Sequence, residues 1–171
     1  MSEIVILVDE QNTPIGAKDR TLIENGDIYR AVGLWITNSC GSILLAQRSL
    51  TKAKGPGLWG PAVAGTVESH ETYDTCILKE AYEEIGLHVS IKELIRGPMT
   101  LETNPGGSRF FGQWYLYSTD MLTDDFVLQT SEVAQVKWFE PDELQKEIAE
   151  VPEKFTPSFP ESAERFLTPN P

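Results

Sequence analysis

The feature that most constrains the fold of this chain is the segment 65–87, in which a loop runs into a helical pattern. Gly65 opens the segment and Gly86 nearly closes it. The spacing of apolar residues in between predicts a helix over 71–85. Gly86 stands where a left-handed C-cap residue is favoured, and Gly65 permits close approach of the backbone to another group. The segment therefore predicts a loop followed by a capped amphipathic helix.

The predicted helix has one apolar face and one acidic face. The residues at positions i, i+3, i+4 and i+7 are expected to face the core: Leu78, Ala81, Tyr82 and Ile85. The other face carries Glu80, Glu83 and Glu84. Like charges at this spacing destabilise a helix, whereas hard divalent cations take carboxylate oxygens as ligands. Three glutamates alone are more typical of a solvated acidic surface, so the neighbouring residues decide between the two interpretations.

Those neighbouring residues follow a known pattern. The spacing is Gly65, five residues, Glu71, seven residues, Lys79-Glu80-Ala81, one residue, Glu83-Glu84, one residue, and Gly86-Leu87. This segment resembles the Nudix box, with Lys79 as the one clear departure because the family has arginine there. A pattern that fixes this many positions is far more specific than a lone glycine loop. The acidic face is therefore interpreted as a metal site.

The rest of the chain predicts short strands and two further helices. Strands are expected at 2–9, 30–37, 42–48, 58–64, 109–117 and 133–139, and helices at 141–150 and 159–166. The strands 30–37 and 42–48 form a predicted antiparallel hairpin. Strands on both sides of a central helix favour an α+β layered fold. The resemblance implies the α/β/α sandwich of the family, with a mixed central sheet, the Nudix loop and helix, and one domain over 1–171.

Composition and charge indicate which cellular compartment and which classes of partner to expect. The chain has 171 residues, of which 40% are hydrophobic, and a net charge of −12. An acidic surface repels nucleic acid, so a phosphorylated substrate needs a bridging cation. Cys40 and Cys76 lack metal-site spacing and are expected to be free thiols in a reducing compartment. With no leader pattern and no long apolar run, a cytoplasmic protein without membrane or nucleic-acid partners is expected.

The resemblance implies roles for the site residues. In the family, the carbonyl before the box glycine and two box glutamates hold metal ions, which here are Ala64, Glu80 and Glu84, with Glu83 assisting. The expected cation is Mg²⁺, with Mn²⁺ as an alternative. Such ions polarise a diphosphate and activate a water molecule. The implied activity is hydrolysis of a diphosphate linkage in a nucleoside diphosphate derivative or a related small phosphorylated metabolite.

The general base and the role of Lys79 depend on further residues. The base is either Glu83 or Glu132, which precedes the predicted strand 133–139; a surface glutamate at a strand end is an equally good interpretation of Glu132. Lys79 precedes Glu83 by four residues and adjoins Glu80. We expect its ammonium group to offset the acidic cluster and to support catalysis, although lysine lacks the planar fork of arginine.

Short motifs outside the box resemble the isopentenyl-diphosphate isomerase branch of the family. They are Val8–Glu10, Pro14–Gly16, Tyr29–Ala31, Gln47–Ser49, Lys54–Trp59 and Lys154–Pro157. That isomerase needs a cysteine ahead of the box glycine and histidine ligands, yet 59–64 contains no cysteine and Tyr29 stands at a histidine position. Hydrolysis is therefore expected. The alternatives are the isomerase and a non-catalytic nucleotide-sugar-binding sensor; the substrate and oligomeric state stay open, with a homodimer as one candidate.

Overall fold

The computed structural model describes residues 3–167, which form a mixed sheet with helices on both faces. The strands are β1 (Ile4–Val8), β2 (Pro14–Asp19), β3 (Ile28–Thr37), β4 (Ile43–Arg48), β5 (Trp59–Pro61), β6 (Val63–Thr66), β7 (Ile95–Thr103), β8 (Arg109–Ser118) and β9 (Val133–Phe139). The helices are α1 (Tyr73–Ile85), α2 (Pro141–Glu150) and α3 (Phe159–Leu167). None of the helices in 3–167 is long and apolar enough to cross a lipid bilayer.

Strand β3 organises the sheet. It pairs with β8 in parallel over its whole length, from Ile28 opposite Arg109 to Thr37 opposite Ser118. It also pairs antiparallel with β1, β4 and β6. Strand β4 continues the sheet to β5 and β9, and β8 continues it to β7. Because β6 leads into α1, this topology places the predicted loop and helix beside the centre of the sheet.

The two faces of the sheet bury separate apolar clusters. Leu34 and Ile77 belong to the cluster under α1, whereas Trp35 and Phe159 belong to the cluster under α2 and α3. Alternate residues of a strand point to opposite faces, so adjacent positions of β3 serve different layers. Burying each such side chain contributes roughly 1.5–3 kcal/mol. The predicted α+β class and the α/β/α sandwich are confirmed.

Helix α1 is defined by its caps. Thr72 caps the N-terminus and shares a capping box with Thr75, and Gly86 ends the helix at φ 66°. The buried face consists of Tyr73, Cys76, Ile77, Ala81 and Ile85. The prediction that Tyr82 faces the core is wrong: it is 56% exposed and its ring lies 4.7 Å from that of His88. The buried stripe is centred on Ile77 and Ala81, so position 82 falls beyond its edge.

Other predicted boundaries differ in detail. The predicted strand 58–64 is two strands, β5 and β6, separated at Ala62, and the helix expected from Glu71 begins at Tyr73. Strands β2 and β7 were not predicted; in β7 the register shifts between Arg96 and Met99, where Gly97 and Pro98 disrupt the alternation. The first residues of the expected strand 2–9, and the ends of the expected domain 1–171, lie partly outside the described residues.

Candidate functional site

The predicted site residues line one polar cavity of about 330 Å³. Strand β6 supplies Ala64, the turn before β9 supplies Glu132, and α1 supplies the others: Lys79, Glu80, Glu83 and Glu84. The helical spacing of three and four residues brings the α1 side chains to one side. Residues that are distant in sequence therefore meet at one end of the box helix.

Two of the box carboxylates are buried against each other and against β6. Glu84 accepts a hydrogen bond at Oε2 from the Ala64 N–H at 3.1 Å. Burial, reinforced by the charge of Glu80, raises the pKa of Glu84 to about 8. Burial also raises the pKa of Glu80 to about 7, despite the nearby Lys79. Such carboxylates are costly to ionise without a compensating cation.

This donor set fits a divalent cation held in part by its substrate. Within residues 3–167, no three Asp, Glu, His or Cys side chains converge closely enough to hold a metal ion by themselves. Magnesium usually keeps several waters and takes one or two carboxylates together with substrate phosphates. Glu80 and Glu84 supply two such carboxylates. Within residues 3–167, the ion pair of Glu80 with Lys79 is 3.5 Å long and no ion pair reaches Glu84.

Lys79 lies beside Glu80, as expected, but its shortest ion pairs are with Glu68 and Glu71. Its Nζ lies 2.8 Å from Glu71 Oε1, 3.0 Å from Glu68 Oε1 and 3.5 Å from Glu80 Oε1. Among the described residues no ion pair joins Lys79 to Glu83, because the ammonium group turns toward the loop before α1. Although burial opposes the effect, the hydrogen bond from Lys79 lowers the pKa of Glu71. Lys79 therefore ties the loop to the helix beside Glu80.

Glu132 lies on the cavity wall opposite α1. Its carboxylate forms a short ion pair with Lys52. Its backbone is fixed to the end of β4, because the Ser49 N–H donates to the Glu132 carbonyl at 2.8 Å. The charge of Glu132 contributes to the raised pKa of Glu84, after burial and Glu80. The distant loop thus brings a further carboxylate to the box helix.

Two arginines stand where the polar cavity meets a second cavity of about 260 Å³. Arg20 follows β2 and pairs with Glu3 at 2.5 Å. Arg48, at the end of β4, donates from Nη2 to the Lys54 carbonyl at 2.8 Å and so anchors the loop 49–58. Sequence reasoning missed Arg20, since a single arginine after an unrecognised strand gives no periodic signal.

Neither cysteine lines either cavity. Cys76 is fully buried on α1, and its Sγ lies 3.6 Å from the Thr66 carbonyl oxygen. Cys40 is exposed in the turn between β3 and β4. Tyr29, by contrast, lines the second cavity. Its hydroxyl accepts a hydrogen bond from Asn104 Nδ2 at 2.9 Å. The site thus offers carboxylates and cations without a thiol.

Comparison with known proteins identifies the family. Residues 28–159 match the NUDIX domain. The chain belongs to the Nudix family. An uncharacterised Nudix hydrolase of Pseudomonas aeruginosa is 28% identical to this Nudix protein over 152 residues, covering 88% of this chain and 86% of the relative. An isopentenyl-diphosphate isomerase of Kocuria rhizophila is 25% identical over 157 residues, covering 91% of this chain and 87% of the relative.

Solved structures agree with this assignment. A crystal structure of a Deinococcus radiodurans protein superposes with a TM-score of 0.78 at 26% identity, covering 95% of this chain and 98% of the other. A MutT protein of Methanosarcina mazei shares the fold with a TM-score of 0.63 at 19% identity, covering 85% of this chain and 95% of the other. This Nudix protein is an enzyme of a family that acts on small phosphorylated substrates and generally uses divalent metals.

Proposed function

We propose that this Nudix protein hydrolyses a diphosphate linkage in a nucleoside diphosphate derivative and depends on Mg²⁺. The observation that supports this proposal most directly is the convergence of Glu80, Glu84 and Glu132 on one polar cavity. Burial raises the pKa values of two of these carboxylates, Glu80 and Glu84. A divalent cation would offset the negative charge of these carboxylates and of a diphosphate bound beside them.

In the proposed reaction, Glu80 and Glu84, with the Ala64 carbonyl, would hold Mg²⁺. A cation held there would supply positive charge against the phosphates and would lower the pKa of a water molecule. Glu83 or Glu132 accepts a proton from the attacking water; an O–P bond forms, and the bridging P–O bond breaks toward the departing phosphate. Arg20, Arg48 and Lys52 line the same cavity and offset the charge of the phosphates.

Isomerisation of a prenyl diphosphate is the second candidate function, since relatives carry that name. Moving a double bond requires an acid and a base placed against carbon. The cavity-lining position that corresponds to a histidine is Tyr29, and Cys40 and Cys76 lie outside both cavities. A non-catalytic sensor is a third candidate, but the complete set of box carboxylates favours turnover. Hydrolysis accounts for more of the site than either alternative.

Location and assembly are proposed from the sequence. We expect one cytoplasmic domain with free thiols, and the homodimer remains one candidate assembly. Light scattering after gel filtration measures the assembly. Cell fractionation measures the location. Both outcomes are independent of the proposed chemistry.

A substrate panel tests the proposed function. Nucleoside diphosphate sugars, dinucleoside polyphosphates, nucleoside triphosphates and prenyl diphosphates are incubated with the protein in Mg²⁺ or in EDTA, and the phosphorylated products are separated by chromatography. We expect release of a nucleoside monophosphate or phosphate from at least one nucleotide, and none in EDTA. Hydrolysis that continues in EDTA, or the absence of hydrolysis across the panel, would contradict the proposal.

A further inference from the structure

The second cavity, called here the inner chamber, lies directly behind the polar cavity. Its walls include Tyr29, Glu102, Phe110 and Trp114. It shares part of its lining with the polar cavity, namely Arg20, Arg48, Ala64, Gly65, Thr66, Glu84 and Glu132. A molecule whose diphosphate lies at the box carboxylates can therefore extend its remaining part into the inner chamber.

A buried carboxylate faces this chamber. The Glu102 side chain is 3% exposed, and its Oε1 accepts hydrogen bonds from Thr100 Oγ1 at 2.7 Å and Ser162 Oγ at 3.0 Å. Arg165 Nη1 lies 3.6 Å from the same oxygen. Among the described residues, Oε2 accepts no hydrogen bond, yet no sealed side-chain oxygen lacks a partner. Glu102 lines the chamber, and no donor among residues 3–167 occupies its Oε2, so this oxygen is available as an acceptor.

The contacts that hold α3 against the sheet leave the second oxygen of Glu102 unused. Thr100, Ser162 and Arg165 all contact Oε1. Burying a carboxylate costs more than burying an amide, and the 3.6 Å ion pair with Arg165 offsets part of that cost. A donor at Oε2 would offset more of it, and within the chamber a ligand can supply that donor.

We infer that the inner chamber binds a heterocyclic base and that Glu102 Oε2 accepts a hydrogen bond from an exocyclic amino group of that base. This inference rests on the proposed function, which places the diphosphate at the box carboxylates. Tyr29 and Phe110, whose ring centroids lie 5.8 Å apart, give the chamber a flat apolar wall suited to a ring. An oxo group at the amino position would face the carboxylate oxygen and be repelled. The substrate class is thus an amino-bearing nucleotide such as a cytosine or adenine derivative.

Matched substrate pairs test this inference. Cytidine is compared with uridine, and adenosine with inosine, each as the same diphosphate derivative, by kcat/KM. The wild-type protein is expected to prefer the amino member of at least one pair by about tenfold or more, the factor that one hydrogen bond to a charged group provides. The pair that shows the preference distinguishes a pyrimidine from a purine. Equal kcat/KM values within both pairs would overturn the inference.

The variant Glu102→Gln isolates the role of Oε2. Glutamine keeps an acceptor for Thr100 and Ser162 but presents an N–H donor to the chamber, so the amino-to-oxo ratio should fall at least about tenfold and approach or pass unity. Arg165→Gln is the matched control: it removes the cation at Oε1 and perturbs α3 while the ratio stays as in wild type. An unchanged ratio in Glu102→Gln, or an equal change in both variants, would overturn the inference.

Binding without turnover separates this inference from the proposed function. Calorimetry compares cytidine with uridine monophosphate, and adenosine with inosine monophosphate, using the wild-type protein in EDTA. Tighter binding of an amino member without hydrolysis of any diphosphate would support the chamber assignment and contradict the proposed function. Hydrolysis without any preference for the amino member, in binding or in kcat/KM, would support the proposed function and contradict the chamber assignment.

Discussion

A Cβ atom added to Gly65 would lie 2.4 Å from Cγ of Glu80. Real Cβ atoms essentially never come this close to another heavy atom, so a side chain at position 65 would force Glu80 to move. The box glycine was expected to permit close approach of its backbone to another group. The structure shows that one such group is the Glu80 side chain, which packs directly on β6.

We predict that Gly65→Ala lowers kcat/KM by about tenfold or more, because a displacement of one ångström or less at a catalytic group is enough for such a loss. Gly16→Ala is the matched control, since a Cβ at Gly16 meets nothing within 4 Å. Steady-state kinetics on the best substrate of the panel, with thermal melts of both variants, provide the comparison. Equal activity of the two variants would show that the contact with Glu80 is unimportant.

Lys79→Ala should weaken both stability and activity. The substitution leaves Glu71, whose side chain is 6% exposed, without its 2.8 Å ion pair. An unsatisfied buried acceptor of this kind costs about 1–3 kcal/mol of unfolding free energy. Lys79→Arg should retain activity, or raise it by up to about tenfold if one more charge-assisted hydrogen bond forms in the transition state. Urea denaturation and kinetics measure the two effects.

The exposed Lys92 supplies the control for Lys79. Lys92→Ala removes the same charge and side chain on the surface outside both cavities, so stability and kcat/KM should stay near the wild-type values. If Lys79→Ala behaved like Lys92→Ala, the link between the loop and α1 through Glu68 and Glu71 would have no functional weight.

Without metal, the box carboxylates should make the protein less stable as pH rises. The pKa of Glu80 is raised to about 7 and that of Glu84 to about 8, from 4.5. Above 4.5 the folded protein keeps protons that the unfolded chain has released, so these groups lower the free energy of unfolding as pH increases toward 8. Urea denaturation in EDTA at about pH 5.5 and about pH 8 measures the change. Glu84→Gln should show a smaller decrease; an identical decrease would contradict this account.

The protein should not convert isopentenyl diphosphate into its dimethylallyl isomer with either Mg²⁺ or Mn²⁺. Cys76 is buried on α1, where burial raises the pKa of its thiol, and Cys40 lies in a surface turn. Neither thiol lines the two cavities in which a substrate could bind. Product analysis by chromatography and mass spectrometry decides the question. Metal-dependent formation of the isomer would contradict this prediction and would show that the protein acts as an isopentenyl-diphosphate isomerase.

The sequence predicted the box helix well because several local signals agree there. Apolar spacing and Gly86 at the C-cap predicted the end of α1, whereas the N-cap is Thr72, one residue after the predicted first residue, Glu71. Predictions failed where tertiary packing overrides a local pattern. Tyr82 continues the apolar spacing but lies beyond the covered face. Position along the chain gave no indication that Lys79 turns away from Glu83 toward Glu68.

The inner chamber was missed for a related reason. Strand β7 contains Gly97 and Pro98, which hide its alternation, so Glu102 did not stand out as an inward-facing residue. Its partner Ser162 lies on α3, 60 residues further along the chain. Contacts between residues this far apart in sequence depend on how the helices pack on the sheet. The spacing of residues within one segment does not predict them. The sequence therefore predicted the acidic face of the box helix but not the inner chamber that contains Glu102.

The most direct test of the metal site is the effect of Mg²⁺ on Glu84→Gln. Melting temperatures with Mg²⁺ and with EDTA, and kcat on the best substrate, are measured for wild type, Glu84→Gln and the surface control Glu150→Gln. Wild type and Glu150→Gln should both gain stability from Mg²⁺ and turn over substrate. Glu84→Gln should fold, lose most of the Mg²⁺-induced stabilisation, and lose about 100-fold or more in kcat. If Glu84→Gln kept wild-type turnover and the same stabilisation by Mg²⁺, the buried box carboxylates would not be the metal site.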